Sequence, residues 1–305
     1  MKKFLFGLMT LALFAGAAEA KLNVIATTED FGSIAKEIGG ATVDVFTLAK
    51  STEDPHFVDP KPSFIVKLNR ADAVIEGGAE LEVGWLPPLL DGARNPKLDA
   101  GKPGRISCVE GVALLEIPTA LDRSKGDLHA AGNPHYMADP ANAKVVAERI
   151  ANSFAQLDPK SADVFKTNLK KFNDRLDVKM QEWQKALAPF KGKRIVAYHN
   201  AWPYFAKRFD VRIDLFLEPK PGIPPSASHL AEVVTTMKAE GVKVIMVEPY
   251  HDRHYAETVA KHTDAAIVDV SFMPGAKGAG DNYVDWMDHL VQSLVKGFES
   301  KKQSP

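Results

Sequence analysis

The sequence is short of the features that several large classes of protein require. Only one of its 305 residues is a cysteine, Cys108, so no intrachain disulfide can form. Lysine and arginine total 38 against 39 aspartates and glutamates, and the pI is near 6.8. This balance gives no indication of a nucleic-acid partner. The metalloprotease motif H-E-x-x-H is also absent.

Long apolar runs are confined to the first twenty residues, "MKKFLFGLMTLALFAGAAEA". Two lysines, an apolar stretch and a final A-x-A pattern are typical of a secretory signal peptide. We therefore expect residues 1–20 to be removed and the mature chain to be exported to a bacterial periplasm. No cysteine lies near position 20, so an N-terminal lipid anchor is not expected.

After this leader, strand-like and helix-like segments alternate in two arrays. The segments with strand character are 22–28, 42–49, 72–78, 194–198, 212–218, 242–248 and 265–270. Between the arrays, residues 161–189 repeat apolar side chains every three or four positions, which predicts one long amphipathic helix. Two segments are less regular. Residues 81–93 predict a short helix interrupted at Pro87 and Pro88, and residues 92–133 predict no regular element.

This order predicts an α/β protein of two lobes, each a mainly parallel sheet flanked by helices and joined by one long rigid helix. The predicted boundaries are 21–158 for the N-terminal lobe, 159–189 for the connecting helix and 190–305 for the C-terminal lobe. Ligands of such sheets bind beyond the carboxyl ends of the strands. Both sets of strand ends could therefore face one cleft.

Three of the nine histidines occupy loop positions at the ends of predicted strands or helices. His56 lies in the proline-rich stretch "EDPHFVDPKPS", His135 in "GNPHYMADP" and His199 in "RIVAYH". Imidazole is a preferred zinc ligand, and three such rings with one more donor complete a tetrahedral shell. Each residue also has a plainer interpretation: a solvated loop residue, ordinary turn chemistry or a hydrogen-bonded core histidine.

Further candidates surround these three histidines in the sequence. Asp281 follows a glycine-rich loop and could supply a fourth ligand, or could simply cap a helix. His129 could be an accessory ligand or an exposed loop residue. Glu248 ends a predicted strand and could hold the outer nitrogen of a ligand imidazole. His251 and His254 are three residues apart, and their neighbours indicate a solvated helix face.

Taken together, seven segments resemble the metal-binding solute receptors of bacterial ABC importers for zinc and manganese. They occur in the order of that family over nearly the whole mature chain: "EDPHFVDPKPS", "LNRADAVIEGG", "GNPHYMADPANAK", "VAYHNAWPYFAKRF", "EPKPGIPPSASHLAEVV", "VKVIMVEPYHDR" and "GDNYVDWMDHL". The resemblance implies two α/β lobes with a buried metal between them and no catalytic activity. The ligands that it implies are His56, His135, His199 and Asp281.

The resemblance also implies the cargo and its destination. Manganese-selective members commonly carry glutamate where His199 stands, and nitrogen donors suit Zn²⁺ better than Mn²⁺. Zn²⁺ is therefore the expected cargo, with Mn²⁺ or both metals as the alternative. The expected partner is an ABC permease of the inner membrane, a metallochaperone is a further candidate, and the receptor is expected to be a monomer. An adhesin-like protein or a secreted zinc hydrolase with water as fourth ligand are the remaining alternatives.

Overall fold

The computed structural model describes residues 20–119 and 129–300. All but the last residue of the expected leader peptide lies outside the described residues, as do residues 120–128 and 301–305. None of the helices in the described part is long and apolar enough to cross a membrane.

Seven elements form the N-terminal lobe, with strands and helices in alternation. They are β1 (Leu22–Ala26), α1 (Glu29–Gly39), β2 (Val43–Thr47), α2 (Pro62–Arg70), β3 (Ala73–Glu76), α3 (Leu86–Ala93) and β4 (Arg105–Ser107). The four strands pair in parallel in the order β2-β1-β3-β4. Apolar runs such as "NVIA" suit this sheet because helices cover both of its faces.

Two helices follow this lobe, α4 (Pro140–Leu157) and α5 (Ala162–Leu187). The start of α4 follows from its sequence: Asp139 Oδ1 accepts a hydrogen bond from the Ala141 amide at 2.9 Å, and proline takes the first helical position. Short 3₁₀ turns extend α5 to Pro159–Ser161 on one side and Ala188–Phe190 on the other.

The C-terminal lobe repeats the same architecture. Its elements are β5 (Arg194–Ala197), α6 (Pro203–Phe209), β6 (Arg212–Phe216), α7 (Ala227–Glu240), β7 (Val244–Val247), α8 (Arg253–Thr263), β8 (Ala266–Asp269) and α9 (Tyr283–Ser300). The strand order is β6-β5-β7-β8, and all pairs are again parallel. The predicted fold of two parallel-sheet lobes linked by a long helix is confirmed.

Two local predictions in the N-terminal lobe were wrong. Pro87 and Pro88 do not interrupt a helix; they lie in the first turn of α3, where a missing N–H costs nothing because no intrahelical acceptor is available there. Residues 92–133 also contain β4, which the sequence did not reveal. This strand has only three residues and lies between glycine- and proline-rich turns, so it carries too little periodicity to detect.

The hydrophobic core has a part that both lobes share and a smaller cluster within each lobe. One cluster joins Val24 and Ile106 of the first sheet to Ile195 and Val244 of the second. Helix α5 runs alongside and contributes its apolar face to this cluster through Phe165, Phe172, Leu176, Trp183 and Leu187. The lobes therefore pack as one body around the helix.

Helix α6 of the C-terminal lobe also holds the segment that leads into α4. The Arg208 guanidinium donates two hydrogen bonds to the Asp139 carboxylate, at 2.6 and 2.9 Å. The Tyr204 hydroxyl donates to the Asn133 carbonyl at 2.7 Å. These contacts fix residues 133–139, the segment that contains His135, against the opposite lobe.

Because this bidentate pair bridges the lobes, we expect Arg208→Ala to lower the free energy of unfolding by about 1.5 kcal/mol. Urea denaturation of the metal-free protein would measure the change. Lys207→Ala, at an exposed position of the same helix, is the matched control and should stay near the wild-type value. Equal losses in both variants would contradict the structural role assigned to the ion pair.

Candidate metal site

The structure brings three of the predicted histidines together between the lobes. His56 lies in the loop between β2 and α2, His135 precedes α4, and His199 follows β5. The Nε2 atom of His135 is 3.2 Å from that of His56 and 3.3 Å from that of His199. Within the described ranges, these are the only three metal-capable side chains found clustered, with all ligand atoms inside 4.8 Å.

This spacing fits a single bound ion. Two nitrogens at about 2.05 Å from a tetrahedral zinc lie about 3.3 Å apart, close to both distances in the structure. The His135 ring stands nearly perpendicular to those of His56 and His199, with interplanar angles of 87° and 89°. The three rings thus point one nitrogen each at a common position.

His56 and His135 are each positioned by the same kind of turn, which their sequence motifs encode. In "DPH", Asp54 Oδ1 accepts a hydrogen bond from the His56 amide at 2.9 Å. In "NPH", Asn133 Oδ1 accepts one from the His135 amide at 3.0 Å. The intervening proline has no N–H and a fixed φ, so each motif forms a stiff turn that places the histidine.

Packing around these turns completes their placement. Trp85 Nε1 donates to the Pro55 carbonyl at 2.9 Å, and the His56 ring forms a hydrogen bond with the Leu81 backbone. The Phe272 ring packs edge-on against His135, with centroids 5.0 Å apart. His135 Nδ1 is buried and has no hydrogen-bond partner in the structure.

His199 is held by a different residue from the one that the sequence suggested. Its Nδ1 forms a hydrogen bond with the carboxylate of Glu218, a residue only 7% exposed. Glu248 is also buried, but its Oε1 accepts from Trp202 Nε1 at 2.6 Å and not from an imidazole. The sequence did offer one clue to Glu218: it lies just after β6, the strand that pairs with β5, and His199 lies just after β5.

The three rings differ in the direction in which their surroundings shift the pKa. Burial, with the neighbouring His199, lowers the pKa of His56 to about 3, and burial also lowers the pKa of His135 well below its usual value. Burial acts in the same direction on His199, but the hydrogen bond and charge of Glu218 outweigh it, so the pKa of His199 is raised. Two rings are therefore held neutral, with lone pairs available to a cation.

Asp281 does not join the three histidines. Its side chain is exposed, and it is not part of the clustered group. The helix cap is Asn282, whose Oδ1 accepts from two backbone N–H groups in the first turn of α9. The preceding loop is closed by a hydrogen bond from the Gly275 amide to the Gly280 carbonyl at 2.7 Å, which leads the chain directly into α9.

His129 lies beside the group without belonging to it. Its ring is stacked on that of His56, with centroids 5.0 Å apart and planes inclined by 21°. It lines the opening between the lobes, where its Nδ1 is 4.0 Å from a Glu80 carboxylate oxygen. Its role as an accessory ligand stays a prediction.

A cavity of about 390 Å³ leads from solvent to the histidines. The polar side chains that line it include Asp54, Glu80, Glu218 and His251. Two exposed apolar side chains, Phe57 and Val83, form another part of its wall. An acidic, partly enclosed opening favours entry of cations over anions.

Residues 24–297 match the family described as zinc-uptake complex component A, periplasmic (ZnuA). The metal ABC transporter substrate-binding lipoprotein ScbA of Streptococcus cristatus is 25% identical, covering 98% of this chain and 99% of the relative. The manganese ABC transporter substrate-binding lipoprotein PsaA of Streptococcus pneumoniae is 24% identical, covering 97% and 96%. The zinc-binding lipoprotein AdcA of the same species is 26% identical over 91% of this chain and 56% of its own length.

Solved structures give the same picture of the fold. A crystal structure of ZnuA superimposes with a TM-score of 0.76 at 23% identity, covering 91% of this chain and 99% of the other. A manganese-bound periplasmic metal-binding protein from Candidatus Liberibacter asiaticus gives a TM-score of 0.75 at 21% identity, covering 90% and 99%.

We expect the metal-free protein to lose stability as the pH falls below about 6.5. In the unfolded chain, His56 and His135 take up protons near that pH, whereas burial in the folded protein lowers both pKa values, that of His56 to about 3. The unfolded state therefore binds more protons in this window, and the free energy of unfolding falls by up to about 1.4 kcal/mol per pH unit for each ring. Urea denaturation in the presence of a chelator, at a series of pH values, would measure this slope.

The double variant His56→Asn/His135→Asn removes both groups and should show a shallower slope. The buried Glu82 carboxyl has an opposite effect, because burial raises its pKa to about 7 and its protonated form is favoured in the folded state. That contribution is common to both proteins and cancels in the comparison. A slope identical in the two proteins would contradict the lowered pKa values.

Proposed function

We propose that this chain, which belongs to the periplasmic zinc-uptake complex component A family, binds a divalent transition metal at His56, His135 and His199 and delivers it to an ABC-type permease. The observation that carries this proposal is the spacing of the three Nε2 atoms, 3.2 and 3.3 Å between neighbours. The family and the relatives are substrate-binding components of importers and not enzymes, which supports capture and delivery over hydrolysis.

The proposed cargo is Zn²⁺. Three imidazoles, each neutral once it binds a metal, form a nitrogen-rich donor set that suits zinc better than manganese, which favours oxygen donors and higher coordination. The relatives divide between the two metals: PsaA is named for manganese and AdcA for zinc. The third imidazole, His199, supports the zinc assignment for this chain.

Capture begins, in this proposal, at the acidic opening. Asp54 and Glu80 attract the hydrated cation, and His129 offers a first nitrogen beside His56. The ion then passes to the three-histidine group, where Glu218 strengthens His199 as a donor by accepting a hydrogen bond from its Nδ1–H. Asp281 is outside this ligand set in the conformation described here.

The proposed location is extracytoplasmic. The family description is periplasmic and the relatives are named lipoproteins, both of which support an exported protein. The leader-like first twenty residues support the same conclusion. An ABC permease is the proposed partner, and we extend the proposal to a monomeric receptor that a metallochaperone could load.

Competitive titration of the metal-free protein against a chromophoric chelator tests the site and the metal together. We expect Zn²⁺ to bind at least about tenfold more tightly than Mn²⁺. We expect His135→Ala to weaken Zn²⁺ binding by at least about 100-fold, because it removes the central nitrogen of the group.

His262→Ala, an exposed histidine in α8, serves as the control and should match the wild type. Unchanged affinity in the His135 variant would rule out this site. Tighter Mn²⁺ than Zn²⁺ binding would overturn the zinc assignment and leave the metal-receptor proposal standing.

A second variant isolates the contribution of the outer carboxylate. Glu218→Gln keeps a hydrogen-bond acceptor beside His199 Nδ1 but removes the charge, so Zn²⁺ affinity should fall about 10- to 100-fold. Glu232→Gln removes an exposed carboxylate from α7 and should have no effect. The same titration measures both, and a Glu218 variant with wild-type affinity would show that this hydrogen bond does not tune the site.

A further inference from the structure

Two buried polar atoms of the C-terminal lobe face each other without partners. Glu248 Oε2 and His251 Nε2 are 3.8 Å apart, too far for a direct hydrogen bond. Neither atom has a hydrogen-bond partner in the structure. The Glu248 side chain is completely buried, and that of His251 is 14% exposed. Leaving two such groups unsatisfied in the interior is unfavourable, so the gap between them calls for a ligand.

The sequence suggested that His251 lies on a solvated helix face. This prediction was wrong, because the ring is held in place by its neighbours. Helix α8 begins only at Arg253, so His251 lies in the turn before it. The ring stacks on Tyr198, with centroids 3.9 Å apart and planes within 7° of parallel. A second aromatic ring, Tyr250, packs against its other side at 4.7 Å. These contacts aim Nε2 at the Glu248 carboxylate.

We propose that Glu248 and His251 form a second, weaker binding site for a divalent transition metal. Zinc bonds to imidazole nitrogen and carboxylate oxygen are about 2.0–2.2 Å long. Two such bonds together exceed the 3.8 Å gap, so one ion between the atoms contacts both. Glu248 Oε1 keeps its hydrogen bond from Trp202 Nε1 meanwhile, which orients the carboxylate.

The surroundings of this pair carry the charge that a cation requires. His251 lines the same cavity as Asp54 and Glu218, and the electrostatic influence of Asp54 reaches Glu248. These carboxylates offset a divalent charge. With one imidazole against three in the main group, the site should bind zinc more weakly.

The second site lies next to the first. The ring centroids of His199 and His251 are 6.4 Å apart, and both rings line the cavity between the lobes. An ion bound by Glu248 and His251 would therefore lie next to the three-histidine group. The inference goes beyond the proposed function, since it concerns a second ion and does not depend on delivery to a permease.

The test is the number of Zn²⁺ ions bound by the metal-free full chain, measured by native mass spectrometry and titration with zinc acetate. We expect two ions in the wild type, the second at least about tenfold weaker. His251→Phe preserves the stacked ring on Tyr198 but removes the nitrogen, and should abolish the second event alone. His254→Phe makes the same change at an exposed position of α8 and should keep both events.

Two further variants separate this inference from the proposed function. Glu248→Gln should also abolish the weak event, and it serves if His251→Phe fails to fold. His135→Ala should lose the tight event and retain the weak one. A wild type saturated by one ion would overturn the second site. Two ions still bound by His251→Phe or Glu248→Gln would overturn it equally.

Discussion

Burial of imidazoles that must stay neutral is the constraint on which the rest of this structure depends. The Nε2 atom of His135 is held a little over 3 Å from those of His56 and His199, where protonation of all three rings would be strongly opposed. The chain positions each of these histidines with one hydrogen-bond acceptor. Asp54 and Asn133 accept from the backbone amides of His56 and His135, and Glu218 accepts from the ring of His199. Only the third acceptor touches a ring, which is why only His199 has a raised pKa.

The frame around these loops explains how atoms so far apart in sequence keep a fixed spacing. Parallel sheets place the loops at strand ends, and a common core holds the two sheets to each other. Helix α6 adds direct bonds across the lobes through Arg208 and Tyr204. The Tyr283 hydroxyl, from α9, donates to the Met137 carbonyl at 2.7 Å and secures the same segment from another side. His135, the central member of the group, is thereby the most firmly enclosed of the three.

The sequence predicted the regular elements of this molecule better than the contacts between residues that lie far apart in the chain. Alternating strands and the long apolar face of α5 have periodicities that local chemistry encodes, and the proline-bounded motifs pointed to His56 and His135. Glu218 was not predicted as a site residue because its role depends on the pairing of β5 with β6, which no local pattern specifies. His251 was assigned to a solvated face because the stacking on Tyr198 joins residues that are 53 positions apart (251 − 198). Asp281 was predicted from its motif alone, and its side chain is exposed.

The continuous core around α5 has a mechanical consequence. Two lobes that share buried side chains on both sides of a helix have no plane along which they can separate cheaply, because a wide rotation would expose apolar surface to water. Entry of an ion into the cavity is therefore expected to depend on the loops that line it more than on separation of the lobes.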